Sequence, residues 1–428
     1  MDNFYFENIR VISPAENIDE TRNLWIRDGK IEHCSPEKAD ITRETKVLKG
    51  EGLVASPGLF DMHVHLREPG QTHKETIETG TNAAANGGFT GVVCMPNTDP
   101  AIDSVQTIEY ILNRAKNSLT EVFCCAATTK GRAGKELAPM RDLHAAGALM
   151  FSDDGAAVES SEVMRRAFDY SSDFDGLLSQ HCEEHSMTKG FAIHEGKVSA
   201  RLGLKGYPSA AEDLIIARDI LLAEYCGNRR YHVSHMSTSG GVRLVHEAKE
   251  RGQRVTCEVT PHHFMLTDEA IGNYNSNAKM NPPLRTQKDV DAILQGLADG
   301  TVDVIATDHA PHTATEKEVE FINAPNGIIG LETSLGLSLT YLYHTKILDL
   351  QRIIEVMSVN PRRVLKLPEI SFKKGETANI TIFAPDEEWT VQKKLFKTKS
   401  LNMPFENLEL RGKPKYSINR GKLVECEL

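Results

Sequence analysis

A stretch of alternating polar and apolar residues near the N-terminus carries groups that could bind a metal ion. In the segment Asp61–Arg67 (DMHVHLR), the polar Asp61, His63, His65 and Arg67 alternate with apolar residues. Residues two apart in a β-strand project from the same face, so both imidazoles could reach one metal ion with a guanidinium just beyond them. Burying such groups is costly unless they are coordinated or paired. The segment therefore predicts a metal site, against the alternative of an exposed strand with one solvated face.

Further histidine and aspartate residues could complete a metal centre. Catalytic zinc is bound by nitrogen and oxygen ligands, with one position left open for water. The candidate ligands are four imidazoles and two carboxylates: His63, His65, Asp154, His181, His235 and Asp308. This set exceeds the need of one ion and suits two ions that share a bridging ligand. We expect Zn²⁺ as the cofactor, one or two ions per chain with two favoured, and a carboxylate as the bridge.

Two later segments add groups that could hold a substrate. Thr307–His312 (TDHAPH) ends an apolar run, so Asp308 could contact a metal and an attacking water together. Lys279–Arg285 (KMNPPLR) is a proline-bracketed turn that presents Asn281. A guanidinium matches a carboxylate, and amides match carbonyl and N–H groups. We therefore expect a planar, polar, anionic small molecule, bound by Arg67, Asn97, Asn281 and His312.

Eight apolar runs alternate with helix-like segments, and the candidate ligands follow those runs. The runs are Gly58–His65, Thr90–Asn97, Glu121–Thr128, Ala148–Asp154, Leu177–Glu183, Arg230–His235, Arg254–His262 and Val302–Asp308. The segments between them have helical spacing and good helix formers. This alternation predicts an α/β fold, a distorted (β/α)8 barrel of the TIM type. In this barrel the active site lies at the carboxyl ends of the strands, where six of the eight runs carry metal-ligand residue types.

The two ends of the chain have a different character. Short β-rich segments with turn residues between them occur at Phe4–Ile12, Thr21–Ile31, Lys46–Ala55, Ala378–Phe383, Thr390–Phe396 and Tyr416–Val424. We expect a small β-sandwich-like domain built by both termini, residues 1–55 and 367–428. The barrel would then occupy residues 56–366.

Composition excludes several classes of partner. The 428 residues carry a formal net charge of −11 with a pI near 5.8, which argues against nucleic-acid and anionic-membrane partners. No apolar run approaches the length of a membrane span, and Met1–Phe6 does not resemble a signal peptide. The eight cysteines show no Cys-x-x-Cys spacing and lie mostly in strand-like segments, as reduced thiols do. We expect a cytoplasmic protein.

Taken together, the motifs resemble the cyclic amidohydrolases of the amidohydrolase superfamily, and most closely the bacterial type I dihydroorotases. The resemblance covers nearly the whole chain and rests on Asp61–Pro69 (DMHVHLREP), Met95–Thr98 (MPNT), Ser152–Gly155 (SDDG), His181–Glu183 (HCE), Val233–His235 (VSH), Lys279–Arg285, Ala306–His312 (ATDHAPH) and Gly330–Thr333 (GLET). The His-x-His pair alone would indicate only the superfamily. The two long motifs and the Asp-Asp-Gly at the fourth strand are specific to the dihydroorotase branch.

The resemblance implies a role for each site residue. It pairs His63 with His65 on one metal and His181 with His235 on the other. It makes Asp154 the bridge, with Asp308 completing the first site and acting as the catalytic acid–base group. It implies substrate contacts from His65, Arg67, Asn97, Asn281, His312, Asn326 and Gly327.

Two details of the sequence refine this resemblance. In hydantoinases and allantoinases a carboxylated lysine usually bridges the metals, but the run Ala148–Asp154 contains no lysine. This favours type I dihydroorotase over those relatives. Family members more often carry an apolar aromatic residue where this chain has Asn326, which matters if the side chain faces the substrate and little if only the backbone does.

The implied activity is the reversible, zinc-dependent interconversion of N-carbamoyl-L-aspartate and L-dihydroorotate, a step of de novo pyrimidine biosynthesis. One alternative is another cyclic amidase, such as a hydantoinase or allantoinase. A second is a catalytically silent relative that serves as an assembly partner, although all six ligands are present. The resemblance also leaves open a homodimer and an association with another enzyme of the pyrimidine pathway.

Overall fold

The computed structural model describes residues 3–428 and contains two large sheets. Eight parallel strands form the first sheet, and their order in the sheet follows their order in the chain. They are Leu59–Val64, Phe89–Cys94, Glu121–Ala126, Ala148–Phe151, Leu178–Gln180, Tyr231–Val233, Val255–Val259 and Val304–Ile305. A parallel bridge between Val64 and His309 brings the first strand next to the end of the last one. The predicted barrel is confirmed, and each of its eight strands lies within or overlaps a predicted run.

The observed strands are shorter than the predicted runs at their carboxyl ends. The fourth run was expected to reach Asp154, but its strand ends at Phe151. The last ends at Ile305, three residues before Asp308. The polar residues that follow these strands lie at the barrel mouth. The candidate ligands therefore lie in the short loops that follow the strands.

Helices connect the barrel strands and cover the sheet. The α-helices are Ile77–Asn86, Val105–Arg114, Met140–Ala145, Ser161–Ser171, His185–Thr188, Lys197–Leu202, Ala210–Tyr225, Ser239–Glu250, Pro261–Met265, Gln287–Asp299, Ala314–Lys317, Ser334–Ser338, Leu350–Ile354 and Asn360–Val364. Thr76 caps the first of them through a capping box. Short 3₁₀ turns lie at Pro14–Glu16, Lys130–Arg132, Ser172–Phe174, Asp268–Ile271, Ser276–Ala278 and Lys393–Leu395, and π-helical turns at Leu339–Tyr343 and Glu355–Val359. None of the helices within residues 3–428 has the length and apolar character needed to cross a membrane.

Both termini contribute to the second large sheet, as the sequence predicted. Its strands are Phe4–Ser13, Ile18–Arg27, Lys30–Ser35, Lys46–Lys49, Val54–Pro57, Ile380–Thr390, Glu409–Asn419 and Lys422–Glu425. Residues Val54–Pro57 pair with both Phe4–Ser13 and Ile380–Thr390, so they join the two ends of the chain into one sheet. The expected strand at Thr390–Phe396 is wrong, because the long strand ends at Thr390 and a 3₁₀ turn follows. A separate pair, Ile193–His194 and Gly206–Tyr207, lies in a barrel loop.

The C-terminal segment also reaches the barrel mouth. Lys397 and Thr398 lie between the last two long strands, and their backbone N–H groups donate hydrogen bonds to Glu332. Asn402 contacts the loop after the eighth strand. The division into a barrel at residues 56–366 and a composite β-domain at residues 1–55 and 367–428 stays a prediction, and this segment crosses it.

Candidate metal and substrate site

The first barrel strand brings two imidazoles to the mouth of the barrel. His63 is fully buried and donates from Nδ1 to Oε1 of Glu258, 2.5 Å away. His65 donates from Nδ1 to Oδ1 of Asn97, 2.8 Å away. A carboxylate or amide oxygen can only accept, so these partners fix the tautomers and turn both Nε2 lone pairs into the site.

The inward-facing atoms lie too close together to be stable without a cation. Nε2 of His65 lies 2.8 Å from Oδ1 of Asp308. Nε2 of His63 lies 3.4 Å from Oδ1 of Asp154 and has no hydrogen-bond partner within residues 3–428. Lone pairs that face carboxylate oxygens require a proton or a metal ion between them. Burial lowers the pKa of His63, but the charges of Asp154, Glu258 and Asp308 outweigh it and raise that pKa well above its ordinary value.

The fifth and sixth strands supply a second pair of imidazoles. His181 donates from Nε2 to Oε2 of Glu183, 2.9 Å away, which leaves its Nδ1 lone pair facing Nε2 of His235 at 2.9 Å. Nε2 of His235 lies 3.3 Å from Oδ1 of Asp154. Again nitrogen and oxygen acceptors converge around one point.

All six predicted ligands come together in three overlapping sets. Within each set the ligand atoms lie within 4.8 Å of one another. The sets are His63–His65–Asp154, Asp154–His181–His235 and His63–His235–Asp308. Asp154 belongs to one set with the first histidine pair and to another with the second pair, as a bridging ligand would. The buried nitrogen and oxygen donors fit a metal centre.

The neighbouring aspartates, Asp153 and Asp154, have opposite environments. Asp153 accepts hydrogen bonds from the backbone N–H of Thr129, at 2.9 Å, and from its hydroxyl group. Asp154 instead faces the imidazoles. Burial raises the pKa of Asp154, but the charge of His63 and the close contact with His235 hold it well below its ordinary value.

The predicted substrate residues line a cavity of about 240 Å³ above the cluster. Its walls include His65, Arg67, Asn97, Asp154, His181, His235, Asn281, Asp308, His312, Asn326 and Gly327. Among the predicted site residues only His63 does not line it, because His63 lies beneath the others. The structure therefore brings the metal and substrate candidates into one site.

A neutral histidine holds the guanidinium of Arg67 in this cavity. Arg67 donates from Nε to the carbonyl of Pro311, at 3.2 Å, and its Nη2 lies 3.3 Å from Nε2 of His312. Burial, with the nearby charges of Arg67 and Lys74, lowers the pKa of His312 to about 2, so its ring can accept this bond. No carboxylate forms a salt bridge with Arg67 within the described residues, which leaves the guanidinium free for an anionic ligand.

Three site residues have left-handed backbone conformations, which are uncommon outside glycine. The φ angles are 59° for Arg67, 32° for His235 and 46° for Asp308. Each follows a barrel strand at the point where the chain turns away from the ladder. Strain of this kind clusters at functional sites, where the surrounding structure fixes it.

Sequence reasoning missed several residues that hold the site together. Glu258 lies inside the seventh strand and contacts His63, His232 and the backbone N–H of His235. The acidic residue within the apolar run Arg254–His262 was the available signal. Lys279, Lys317 and Asn402, which contact the loop Phe321–Gly327, were also missed.

A larger cavity of about 350 Å³ lies at the amino ends of the strands. Arg230, Arg254, Asp303 and Arg363 line it, with none of the predicted site residues. Arg254 is paired with Asp175 at 2.8 Å. In this fold the amino-terminal face serves stability, so cavity size does not identify the site.

Comparisons with known proteins give the family of the chain. The family described as "Dihydro-orotase-like" matches residues 52–240. A protein named dihydroorotase from Syntrophus aciditrophicus is 46% identical, covering 98% of each chain. Another of that name, from Geotalea daltonii, is 47% identical over 99% of each chain.

Solved structures share the fold at lower sequence identity. The L-hydantoinase from Arthrobacter aurescens has a TM-score of 0.87 at 24% identity, covering 100% of this chain and 97% of that one. A dihydropyrimidinase from Brevibacillus agri has a TM-score of 0.84 at 18% identity, covering 99% of this chain and 95% of that one. These likenesses concern the barrel and the terminal sheet, whereas the sequence relatives are alike over nearly their full length at almost half of all positions. The chain belongs to the dihydroorotase family.

Proposed function

We propose that this protein interconverts N-carbamoyl-L-aspartate and L-dihydroorotate by reversible hydrolysis of a cyclic amide. The observation that carries the proposal is a single cavity joining a six-residue metal cluster to a guanidinium without a carboxylate partner. The cluster suits amide hydrolysis, and Arg67 suits the carboxylate that distinguishes dihydroorotate from neutral hydantoins. The relatives named dihydroorotase support the same reaction.

We propose zinc as the metal, with two ions per chain. His63, His65 and Asp308 would hold one ion, His181 and His235 the other, and Asp154 would contact both. When bound, such ions polarise a carbonyl oxygen and lower the pKa of a bound water. The four imidazoles already have fixed orientations or close inward contacts, so the protein supplies the ligand set in place.

In the proposed reaction, Asp308 moves the proton. Its carboxylate faces His65 at the floor of the cavity, and burial there is outweighed by the charges of His63 and His65, which lower its pKa. In hydrolysis a water oxygen bonds to the ring carbonyl carbon, Asp308 takes the water proton, and the C–N bond breaks as that proton reaches the ring nitrogen. Cyclisation is the reverse and starts with Asp308 protonated.

Asn281 and Arg67 hold the substrate at the cavity wall. Asn281 donates from Nδ2 to Glu183, at 2.9 Å, which fixes the orientation of its amide. Its Oδ1 is buried and has no partner within residues 3–428, so it can accept from a substrate N–H group. Arg67 can meet a carboxylate with two parallel donors.

Parallel assays separate this reaction from its alternatives. Purified protein with measured metal content would be tested with dihydroorotate, hydantoin and allantoin. We expect turnover of dihydroorotate to exceed that of the neutral rings at least a hundredfold. Preferential hydrolysis of hydantoin or allantoin would contradict the proposal in favour of another cyclic amidase. Absence of bound metal and of turnover would favour the silent assembly partner.

A further inference from the structure

Two buried lysines near the cavity lack a carboxylate partner. Lys279 is 4% exposed and Lys317 3% exposed, and within residues 3–428 neither forms a salt bridge. Burying an ammonium group without a counter-ion is costly. The proposed reaction mechanism does not use these lysines, so their placement needs another explanation.

Both lysines donate hydrogen bonds to one loop, Phe321–Gly327, which forms part of the cavity wall. Nζ of Lys279 lies 2.7–3.0 Å from three carbonyl oxygens, those of Phe321, Ile322 and Ala324. Nζ of Lys317 lies 2.9 Å from the carbonyl of Pro325 and 3.1 Å from that of Gly327. The ammonium groups thus hold five of the seven carbonyls of the loop.

Gly327 is held from three directions. Its N–H donates to the carbonyl of Lys279 at 2.9 Å. Its carbonyl accepts from Lys317 and from Nδ2 of Asn402, the latter at 3.0 Å. Its φ is 147°, a conformation that favours glycine. A Cβ at this position would also lie only 2.8 Å from the carbonyl oxygen of Ala310. The N–H and C=O groups of Gly327 therefore already have hydrogen-bond partners within the protein.

Asn326 has the opposite status. Its backbone N–H and C=O make no hydrogen bond to other residues in the described chain. Its Oδ1 is buried without a partner, and the residue lines the cavity. The loop is thus tied down on both sides of Asn326, while the polar groups of Asn326 itself stay free.

We propose that Lys279 and Lys317 are positioning residues that fix the Phe321–Gly327 loop so that the side chain of Asn326 accepts a hydrogen bond from an N–H group of the ureide substrate. This inference rests on the proposed function for the identity of the substrate. It makes the Asn326 side chain, rather than the Gly327 backbone, the specificity-determining contact of the loop. An apolar residue at this position could not accept such a bond.

The protonation state of the lysines gives a readout that simple packing would not. Burial lowers the pKa of Lys279 to about 8. Burial and the charge of Lys279 lower the pKa of Lys317 to about 7. A neutral amine has two hydrogens, so deprotonated Lys279 cannot keep all three of its bonds. The other charged or titratable groups near Lys317, lining the cavity beside it, are His312, Glu318 and Lys393.

The test compares Lys317→Met and Lys279→Met with a matched control, Lys422→Met. Lys422 is exposed in the terminal sheet and also donates to a carbonyl, that of Asn117. Steady-state kinetics with dihydroorotate, metal content and hydrogen–deuterium exchange of the loop would be measured for each protein. We expect KM to rise about tenfold in the two test variants, the upper end of the scale for one neutral hydrogen bond, with kcat within about threefold of wild type. Loop exchange should be faster, and metal content and the control should not change.

Two further comparisons test whether the lysines act on substrate binding through the loop. Asn326→Ala should raise KM by a similar factor, and combining it with Lys317→Met should add little, because both act through one contact. The KM of wild type should also rise between pH 7 and 9 more than that of the double variant Lys279→Met/Lys317→Met.

Each of the opposite results would overturn a specific part of the proposal. Unchanged loop exchange in both lysine variants would overturn the positioning role, and faster exchange with unchanged KM would overturn its link to the substrate. Fully additive effects of Asn326→Ala and Lys317→Met on KM would also overturn the link between the lysines and the substrate contact. If a lysine variant does not fold, Asn402→Ala removes the other side-chain donor to Gly327 and must give the same KM and exchange changes. If metal-loaded wild type does not turn over dihydroorotate, the proposed function fails, while loop exchange still decides whether the lysines position the loop.

Discussion

Oε1 of Glu258 lies 2.5 Å from Nδ1 of His63, joining the seventh barrel strand to the first beneath the cluster of proposed metal ligands. The same oxygen accepts from the backbone N–H of His235, at 3.2 Å. Oε2 lies 3.3 Å from Nε2 of His232. One buried carboxylate therefore orients two of the proposed metal ligands.

Removing this carboxylate should weaken metal binding. We expect Glu258→Ala to lower metal affinity about 10- to 100-fold, the usual effect of losing a partner that orients a ligand. Glu258→Gln keeps an oxygen that can accept from His63 and should lose less. A chelator competition titration measures both. Equal affinity in wild type and the alanine variant would show that His63 is oriented without Glu258.

The two neighbouring aspartates provide a matched pair of substitutions. Asp154→Asn should lose bound metal and activity together, because Asp154 is shared between two ligand sets. Asp153→Asn should keep metal but melt at a lower temperature, since Asp153 bonds only Thr129 among nearby side chains. Metal analysis and thermal unfolding on the same samples check this. Metal loss in the Asp153 variant alone would reverse the proposed assignment.

Asp308 should be needed for proton transfer. Asp308→Asn keeps an oxygen near His65 but cannot accept the proton, so kcat should fall at least about 100-fold, the lower end of the usual acid–base contribution. Metal content must be measured alongside, because Asp308 is also a proposed ligand. A smaller loss in a metal-loaded variant would mean that another group transfers the proton.

The buried lysines should make stability depend on pH in a defined direction. The folded-state pKa values of Lys279 and Lys317, about 8 and about 7, lie below the unfolded value near 10.4. Between about pH 7 and 10 the unfolded chain therefore binds more protons, and this contribution to stability rises with pH. Buried Cys94, with a pKa raised by burial to about 12, acts in the opposite direction above about pH 8.5.

A comparison of wild type with Lys317→Met isolates the lysine contribution. Urea unfolding at pH 6.5 and 8 should show a larger gain in wild type than in the variant, because only wild type relieves the buried charge of Lys317, while Lys279 titrates in both proteins. The measured quantity is the difference between the two proteins in this gain of unfolding free energy. The contribution of the cysteines is the same in both proteins and cancels. An equal gain in both would mean that Lys317 keeps an ordinary pKa in the folded protein.

The barrel and its six candidate ligands were predictable because their signals are local. Each ligand sits at the end of an apolar run, so the fold rule that gathers strand ends also gathers His63, Asp154 and Asp308. The two-residue alternation in the first strand and the paired aspartates in the fourth were visible in a few adjacent residues. A pattern within a few adjacent residues was therefore enough to predict these features.

The residues that position the site were not predictable in the same way. Glu258 acts on His63 across 195 residues of sequence, and Asn402 acts on Gly327 across 75. In the sequence, nothing distinguishes Lys317 from other lysines, and it ends the short helix Ala314–Lys317. Its role appears only in the fold, where the following loop packs against it. Such contacts depend on how distant segments pack, and no local spacing encodes them.

The last prediction concerns the anionic substrate. Arg67→Lys keeps the charge but loses the planar pair of donors that matches a carboxylate. It also loses the Nε contact to Pro311 and the Nη2 contact to His312 that orient the guanidinium. We expect kcat/KM for dihydroorotate to fall about ten- to a hundredfold, corresponding to about 1.5–3 kcal/mol for a charged hydrogen bond. Most of the change should appear in KM, with metal content unchanged. Hydrolysis of a neutral hydantoin, if any is measurable, should fall much less, because that ring offers Arg67 no carboxylate. An equal loss for both substrates would mean that Arg67 shapes the cavity rather than reading the charge.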